Sequence, residues 1–206
     1  MYRNIHHLIL ASASPRRQQF LRDLGLHFEV VAASIVEEPE VEEEPSHFAR
    51  RMALEKARAV SAHYPGAWII SGDTVVSLGK CILGKPRDKE DAVAMLLSLS
   101  GKEHLVETAF CLCHGESAVE RLHSTVTKVR FVDFDESVAW AYAATGEGLD
   151  KAGAYGIQGK GAVLVRTIEG SYSNVVGLPL CELHQVLEEC GVIALAHLLP
   201  ERAEEC

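Results

Sequence analysis

The sequence has no CxxC pair, no HExxH, no GxSxG, no Walker-type lysine loop and no GxGxxG after a strand-like run. These absences remove the usual signatures of thiol redox enzymes, zinc proteases, serine hydrolases, P-loop NTPases and dinucleotide-binding folds. No apolar run approaches the ~20 residues of a membrane span. The segment Met1-Tyr2-Arg3-Asn4-Ile5-His6-His7 lacks an apolar core followed by a small-residue cleavage site, so a cytoplasmic protein is expected. Positive charge is also in deficit. Twenty Lys and Arg against 29 Asp and Glu give a formal net charge of −9, which argues against a nucleic-acid polymer or a membrane surface as partner. Cationic chemistry must therefore be local.

What remains is an ordinary soluble composition, 48% hydrophobic and 24% charged over 206 residues. That length suits a single domain, with two lobes possible. The cysteines, Cys81, Cys111, Cys113, Cys181, Cys190 and Cys206, read as reduced, mostly buried thiols. The histidines show no metal-like clustering. There is no internal repeat and no linker.

The most informative stretch is Ser12-Ala13-Ser14-Pro15-Arg16-Arg17. It follows an apolar strand-like run, His7 to Ala11, and opens a helix expected to reach Leu24 and stop at Gly25. Ser14 suits the N-cap and Pro15 the first helical position. Two arginines in the first turn oppose the helix dipole. With the helix N-terminus they make a concentrated anion site, to which Ser12 and Ser14 add hydroxyl donors. The plainer alternative is a surface helix start with solvated arginines.

A short strand, His27 to Ala32, precedes an acidic, proline-containing loop, Glu37 to Pro45, in which Glu37 and Glu38 are the candidates for a role. Ser46 to Tyr64 reads as a helix. Lys56 falls on its apolar stripe, four residues from Met52 and from Val60, so it either snorkels to the edge or points into a cleft. In Trp68-Ile69-Ile70-Ser71-Gly72-Asp73-Thr74-Val75-Val76, glycine and aspartate interrupt an apolar strand, where both are disfavoured. The expectation is a site carboxylate at a strand bend, against a capping or turn aspartate. A hairpin at Gly79 returns through Cys81-Ile82-Leu83 to Gly84-Lys85-Pro86, placing Lys85 near Asp73. Helices are expected over Asp88–Leu99 and Glu136–Thr145, and strands over His104–His114, Val119–Val132 and Gly161–Ile168. The stretch Leu149 to Gly159 mixes glycines with Asp150, Lys151 and Gln158, and reads as a loop whose glycines let backbone approach a ligand. A last helix ends near Cys190-Gly191, and the tail beyond Ile193 is expected to fray.

Strands and helices alternate early and strands cluster later, which indicates an α/β or α+β sheet with packed helices. Carboxylates beside several cations suit metal-assisted phosphoryl chemistry: the acids hold Mg²⁺ or orient water while Arg and Lys neutralise phosphate. The residues by themselves indicate a phosphate-ester or nucleotide enzyme.

Five motifs occur in order: Ser12-Ala13-Ser14-Pro15-Arg16-Arg17, Gly72-Asp73-Thr74-Val75-Val76, Gly84-Lys85-Pro86, Asp150 through Gly159, and Val175-Val176-Gly177-Leu178-Pro179-Leu180. Together they resemble the Maf family of nucleoside triphosphate pyrophosphatases, over residues 8 to about 190. The resemblance implies one Maf-like domain over 1–206, with a tail from 194. It implies an α/β fold like the inosine-triphosphatase group, an elongated mixed sheet with flanking helices and two lobes around a cleft. It implies hydrolysis of a nucleoside triphosphate to the monophosphate and pyrophosphate with a divalent cation, Mg²⁺ or Mn²⁺, and a homodimer. By the family pattern Asp73 is the proton acceptor and, with Glu37, a metal ligand; Ser12, Arg17, Lys56 and Lys85 bind phosphate. Arg16, Thr74 and Gln158 match the specificity positions of the subgroup acting on dTTP and UTP, with Asp150 and Lys151 in the same site loop. The 7-methyl-GTP subgroup has tryptophan after the proline, where this chain has Arg16. Two departures stand out: the acidic start of the second-strand loop is Ser34-Ile35-Val36-Glu37, keeping only Glu37, and Gly72 replaces the commoner alanine. Alternatives to dTTP/UTP hydrolysis are a house-cleaning hydrolase of modified nucleotides and a nucleotide-binding regulator of septum formation.

Overall fold

The computed structural model describes residues 1–198. Its centre is a seven-stranded mixed sheet in the order β3-β2-β4-β6-β7-β8, with β5 paired to β4. The strands are β2 (Leu8–Leu10), β3 (Glu29–Val30), β4 (Trp68–Leu78), β5 (Cys81–Leu83), β6 (Glu103–His114), β7 (Val119–Phe131) and β8 (Val165–Glu169). β2 runs parallel to β3 and β4, and the remaining pairs are antiparallel. A separate two-stranded ladder joins β1 (Tyr2–Asn4) to β9 (Ile193–Leu195). Part of the expected frayed tail is therefore a strand, because an N-terminal partner is there to pair with it; Pro200 to Cys206 lie outside the described residues.

Helix α2 (Pro45–Ser61) covers one face of the sheet. It buries Phe48, Ala49, Met52, Ala53, Ala57 and Val60, and its alanines let the helix sit close to β4, where the Ser71 hydroxyl donates to the Ala53 carbonyl. The opposite face carries two groups of elements. At one end α1 (Pro15–Asp23) and α5 (Leu180–Glu189) pack Leu21, Leu183 and Leu187 against Leu10, Ile70 and Phe110. At the other end α3 (Lys89–Leu99) and α4 (Glu136–Ala143) pack Leu96, Leu99 and Ala139 against Val76, Val106 and Val129.

The sheet forks at β4. On one side β4 pairs with β6 continuously from Trp68 to Ser77. On the other, β2 pairs only with Trp68–Ile70 and β5 only with Val76–Leu78. Residues 71–75 are left with an open edge between the two partners, and Asp73 is at its midpoint. The expected bend is absent: Gly72 and Asp73 continue the ladder opposite Phe110 and Ala109. Gly72 has a packing reason. A Cβ there would stand 3.2 Å from Arg17 Nε and 3.3 Å from the Ala109 carbonyl oxygen, so glycine makes room for an arginine.

Two further expectations change. Residues 159–164 form a 3₁₀ turn rather than the start of β8. Among the described cysteines only Cys111 and Cys113 are buried, whereas Cys81 and Cys181 are exposed; Cys81 opens β5 and Cys181 lies in the first turn of the helix Leu180–Glu189.

The acidic loop is fastened to α2 by Arg51, which donates to Glu43 through Nε at 2.8 Å and Nη2 at 2.7 Å, and to the Glu38 carbonyl at 3.0 Å. This clasp sets the loop so that Glu37, itself solvent-exposed, reaches the Lys56 ammonium. The Arg51 hydrogen bonds hold the Glu43 carboxyl down at about 2, against 4.5 for an ordinary glutamate. A depressed carboxyl stabilises the fold fully above the ordinary glutamate range and loses that contribution as pH falls toward 2. Amide exchange of residues 38–44, corrected for intrinsic rate, should therefore be as slow at about pH 5.5 as at pH 7 and speed up as pH falls toward 2, while Arg51→Met speeds it at both of the higher pH values. Equal protection in the mutant would show that the clasp does not hold the loop.

Candidate active site

Of the residues singled out for a role, all but Glu38 line one cleft of about 830 Å³, at the fork of the sheet, within the roughly 300–1,000 Å³ of small-ligand sites. Strand alternation divides the labour on β4. Asp73 points to the α2 face and Thr74 to the α1 face, as their partners show.

On the α2 face the centre is Lys56, 7% exposed. Its ammonium donates to Asp73 Oδ1 and to Glu37 Oε2, both at 2.7 Å. The stripe position thus resolves to the cleft and not to the edge. A buried ammonium shared by two carboxylates is a pair held in place by the cost of separating it. One oxygen of each acid accepts no hydrogen bond from the described residues and remains for a ligand.

On the α1 face the centre is Arg17. Ser14 caps α1, with its hydroxyl accepting from the Arg17 N–H at 3.5 Å. The guanidinium donates through Nε to the Gly177 carbonyl at 2.8 Å, through Nη1 to Ser12 Oγ at 3.1 Å and through Nη2 to Thr74 Oγ1 at 3.0 Å. Burial pushes its pKa down and Asp73 opposes that shift. Three of its five N–H groups are committed inside the protein, which leaves two for a ligand. Arg17 is as much scaffold as anion receptor.

The scaffold continues inward. Thr108 donates its hydroxyl to the Asn174 carbonyl at 2.8 Å, so the 2.9 Å bond between Thr74 and Thr108 runs from Thr74 to Thr108. Thr74 accepts from Arg17 and gives its only proton to Thr108, leaving one lone pair to offer a ligand. Asn174 is fully buried. Its Oδ1 accepts from the Thr108 N–H, and its Nδ2 donates to the Val106 carbonyl and to Thr127 Oγ1. Neither Asn174 nor Thr108 stands out in the sequence, where the only cue is that Asn174 adjoins the Val175–Leu180 motif.

The remaining cations differ in freedom. Lys85, beyond β5, is exposed and makes no hydrogen bond or ion pair with the described residues. Arg16 reaches Asp150 Oδ2 only at 3.7 Å. Lys151 is committed to Asp150 and to the Glu147 carbonyl. Gln158 is exposed, and its side chain makes no hydrogen bond with the described residues, so it does not brace its own loop. Among the described residues no group of three or more His, Cys, Asp or Glu could hold a metal ion. Glu37 and Asp73 nonetheless fit a hard cation that takes one or two carboxylates and completes its shell with water and substrate phosphates.

Asn174→Ala should remove the acceptor of the Thr108 N–H and the donor to Val106. At about 1–3 kcal/mol per buried unpaired group the loss of stability should be about 2–6 kcal/mol. Urea denaturation reads it, and a change under about 0.5 kcal/mol would show that the network is not structural.

Comparison with known proteins places the chain in a family. Residues 7–190 match the family described as Maf-like protein. The dTTP/UTP pyrophosphatase of Desulfotalea psychrophila is 53% identical over 195 residues, covering 95% of this chain and all of that protein. The dTTP/UTP pyrophosphatases of Nitratidesulfovibrio vulgaris and Thermococcus kodakarensis are 48% and 46% identical, over 91% and 92% of this chain and 90% and 99% of theirs. Among solved structures, the Staphylococcus aureus Ham1 protein aligns with 77% of this chain and 79% of its own, at 10% identity and a TM-score of 0.45. On the extent of the match and the identity of these relatives, the chain belongs to the Maf family.

Proposed function

We propose that this protein is a nucleoside triphosphate pyrophosphatase acting on dTTP and UTP. The observation that carries the chemistry is the Lys56 ammonium, at 2.7 Å from both Asp73 and Glu37, at an open sheet edge facing free cations. The substrate class rests on the names of the relatives and on the presence of Arg16, Thr74 and Gln158 in one cleft.

In this reading the triphosphate enters beside the α1 N-terminus. Arg16, Lys85, the two uncommitted Arg17 N–H groups and the Ser12 hydroxyl proton bind its oxygens. Asp73 accepts a proton from the attacking water through its free oxygen, and Lys56 fixes the carboxylate in place. The α–β anhydride breaks, releasing pyrophosphate and the monophosphate. A divalent cation such as Mg²⁺ or Mn²⁺, held by Glu37 and Asp73, would neutralise charge on the phosphates. Gln158 presents a carbonyl to the N3–H and an amide N–H to the O4 of uracil or thymine. The homodimer belongs to the same reading. No helix among the described residues is long and apolar enough to cross a membrane.

Pyrophosphate release with UTP, dTTP, ATP, GTP and modified triphosphates tests the reading. UTP and dTTP should be turned over well ahead of ATP and GTP. Equal rates with GTP, a stronger response to a modified nucleotide, or no release at all would reject it. Asp73→Asn should lower kcat by about 10²–10⁴ while nucleotide still binds; near-normal kcat would remove Asp73 from its role. Gln158→Glu, which lacks the amide donor, should erode the preference for pyrimidines.

A further inference from the structure

The segment that carries Gln158 is built around a buried tyrosine and a carboxylate on its far side. Tyr142, on α4, donates its hydroxyl to Glu147 Oε1 at 3.0 Å and accepts the Gly156 N–H at 3.0 Å. Glu147 also accepts the Gly161 N–H at 2.9 Å through Oε1 and the Lys160 N–H at 3.0 Å through Oε2. The tethers at 156 and at 160–161 bracket Gln158 on both sides. Burial would lift the Glu147 carboxyl, but the Lys160 and Gly161 N–H groups and the Tyr142 hydroxyl outweigh it and hold the group below the usual glutamate range.

The glycines of this segment serve the brace. A Cβ at Gly161 would fall 2.1 Å from the Gly156 carbonyl oxygen and 2.8 Å from the Tyr142 hydroxyl, and one at Gly159 would fall 2.7 Å from Glu147 Oε2. Gly159 also has φ +68°, a backbone that side chains resist. Gly159, one of the glycines that the sequence suggests for close approach to a ligand, instead allows close approach to Glu147, and Gly161 allows close approach to Tyr142.

We propose that Tyr142 and Glu147 are positioning residues for base selection, which fasten both ends of the Gln158 segment to the wall of the cleft. The inference rests on the reading that Gln158 contacts the base. Gln158 has no other support for its side chain, so its precision depends on its backbone. A free segment would pay the ordering cost on binding, and would lose discrimination before it lost chemistry. Neither residue is near Asp73 or Lys56 through any hydrogen bond of the brace, so the water-activating centre is left in place when the brace is cut.

The test uses Tyr142→Phe and Glu147→Gln in the full chain, with UTP, dTTP and GTP as substrates and inorganic tripolyphosphate, which has no base, as a competitive inhibitor. Each variant should raise KM for UTP and dTTP by about tenfold, the size of one hydrogen bond to a charged group. The preference for UTP over GTP should shrink by a similar factor, with kcat changed less than about threefold. Inhibition by tripolyphosphate should stay at the wild-type level. Unchanged KM and preference in both variants would overturn the proposal. So would a parallel loss of tripolyphosphate inhibition, which would mean that the cleft as a whole had collapsed. If Glu147→Gln does not fold, Tyr142→Phe, which keeps the ring in the core, decides alone. A wild-type protein with no pyrimidine preference would overturn the functional reading and this one with it. A selective wild type with unmoved variants overturns this one only.

Discussion

The site depends on one omission in backbone pairing. β4 has neighbours on both sides at its two ends, but between Ser71 and Val75 its outer edge has none. Backbone groups on such an edge must be satisfied by water or by a ligand. The same gap opens the cleft to a mid-strand carboxylate that is otherwise buried. α2 then reaches the gap from one face with Lys56, and α1 from the other with Arg17. Had β2 continued for one more turn of the ladder, Asp73 would be an ordinary buried acid with nothing to act on.

Much of this was legible in the residues. Pro15 after Ser14 marks the start of α1 to the residue. Lys56 among Met52, Ala53, Ala57 and Val60 had to snorkel to the edge or point into a cleft, and it points into the cleft against two acids. An aspartate in an apolar strand was legible as a site group, but its expected bend was not there. Strand propensity penalises glycine and aspartate for poor packing on a half-buried surface. Here β6 supplies continuous pairing, and Arg17 occupies the space over Gly72, so the penalty does not apply.

What the sequence hid was long-range. Arg17 is held by a carbonyl 160 positions away, and nothing local separates its role from that of Arg16 beside it. The two arginines look alike as a dipole-opposing pair, yet one is buried and triply bonded while the other is loosely paired. Residues 161–164 have the apolar pattern of a strand. They turn instead, because the amides of Lys160 and Gly161 are spent on Glu147 rather than on a neighbouring strand. Such choices depend on which distant acceptor arrives, and periodicity carries no record of that.

The distribution of commitment among the cations has a consequence for an acidic chain. A net charge of −9 repels a polyanion at long range, so attraction must come from within about a Debye length of the cleft, ~8–10 Å at physiological salt. Lys56 and Lys151 are already neutralised by carboxylates. Arg17 is not, because its hydrogen bonds all go to uncharged groups. Arg16, Arg17 and Lys85 therefore carry the positive field, reinforced by the α1 N-terminus. Across the cleft, Lys56 with Asp73 and Glu37 sums to one negative charge. The cleft is thus polarised from a cationic α1 face to an anionic α2 face. That gradient suits a ligand whose phosphates lie on the α1 face while a cation or a polarised water meets the α2 face.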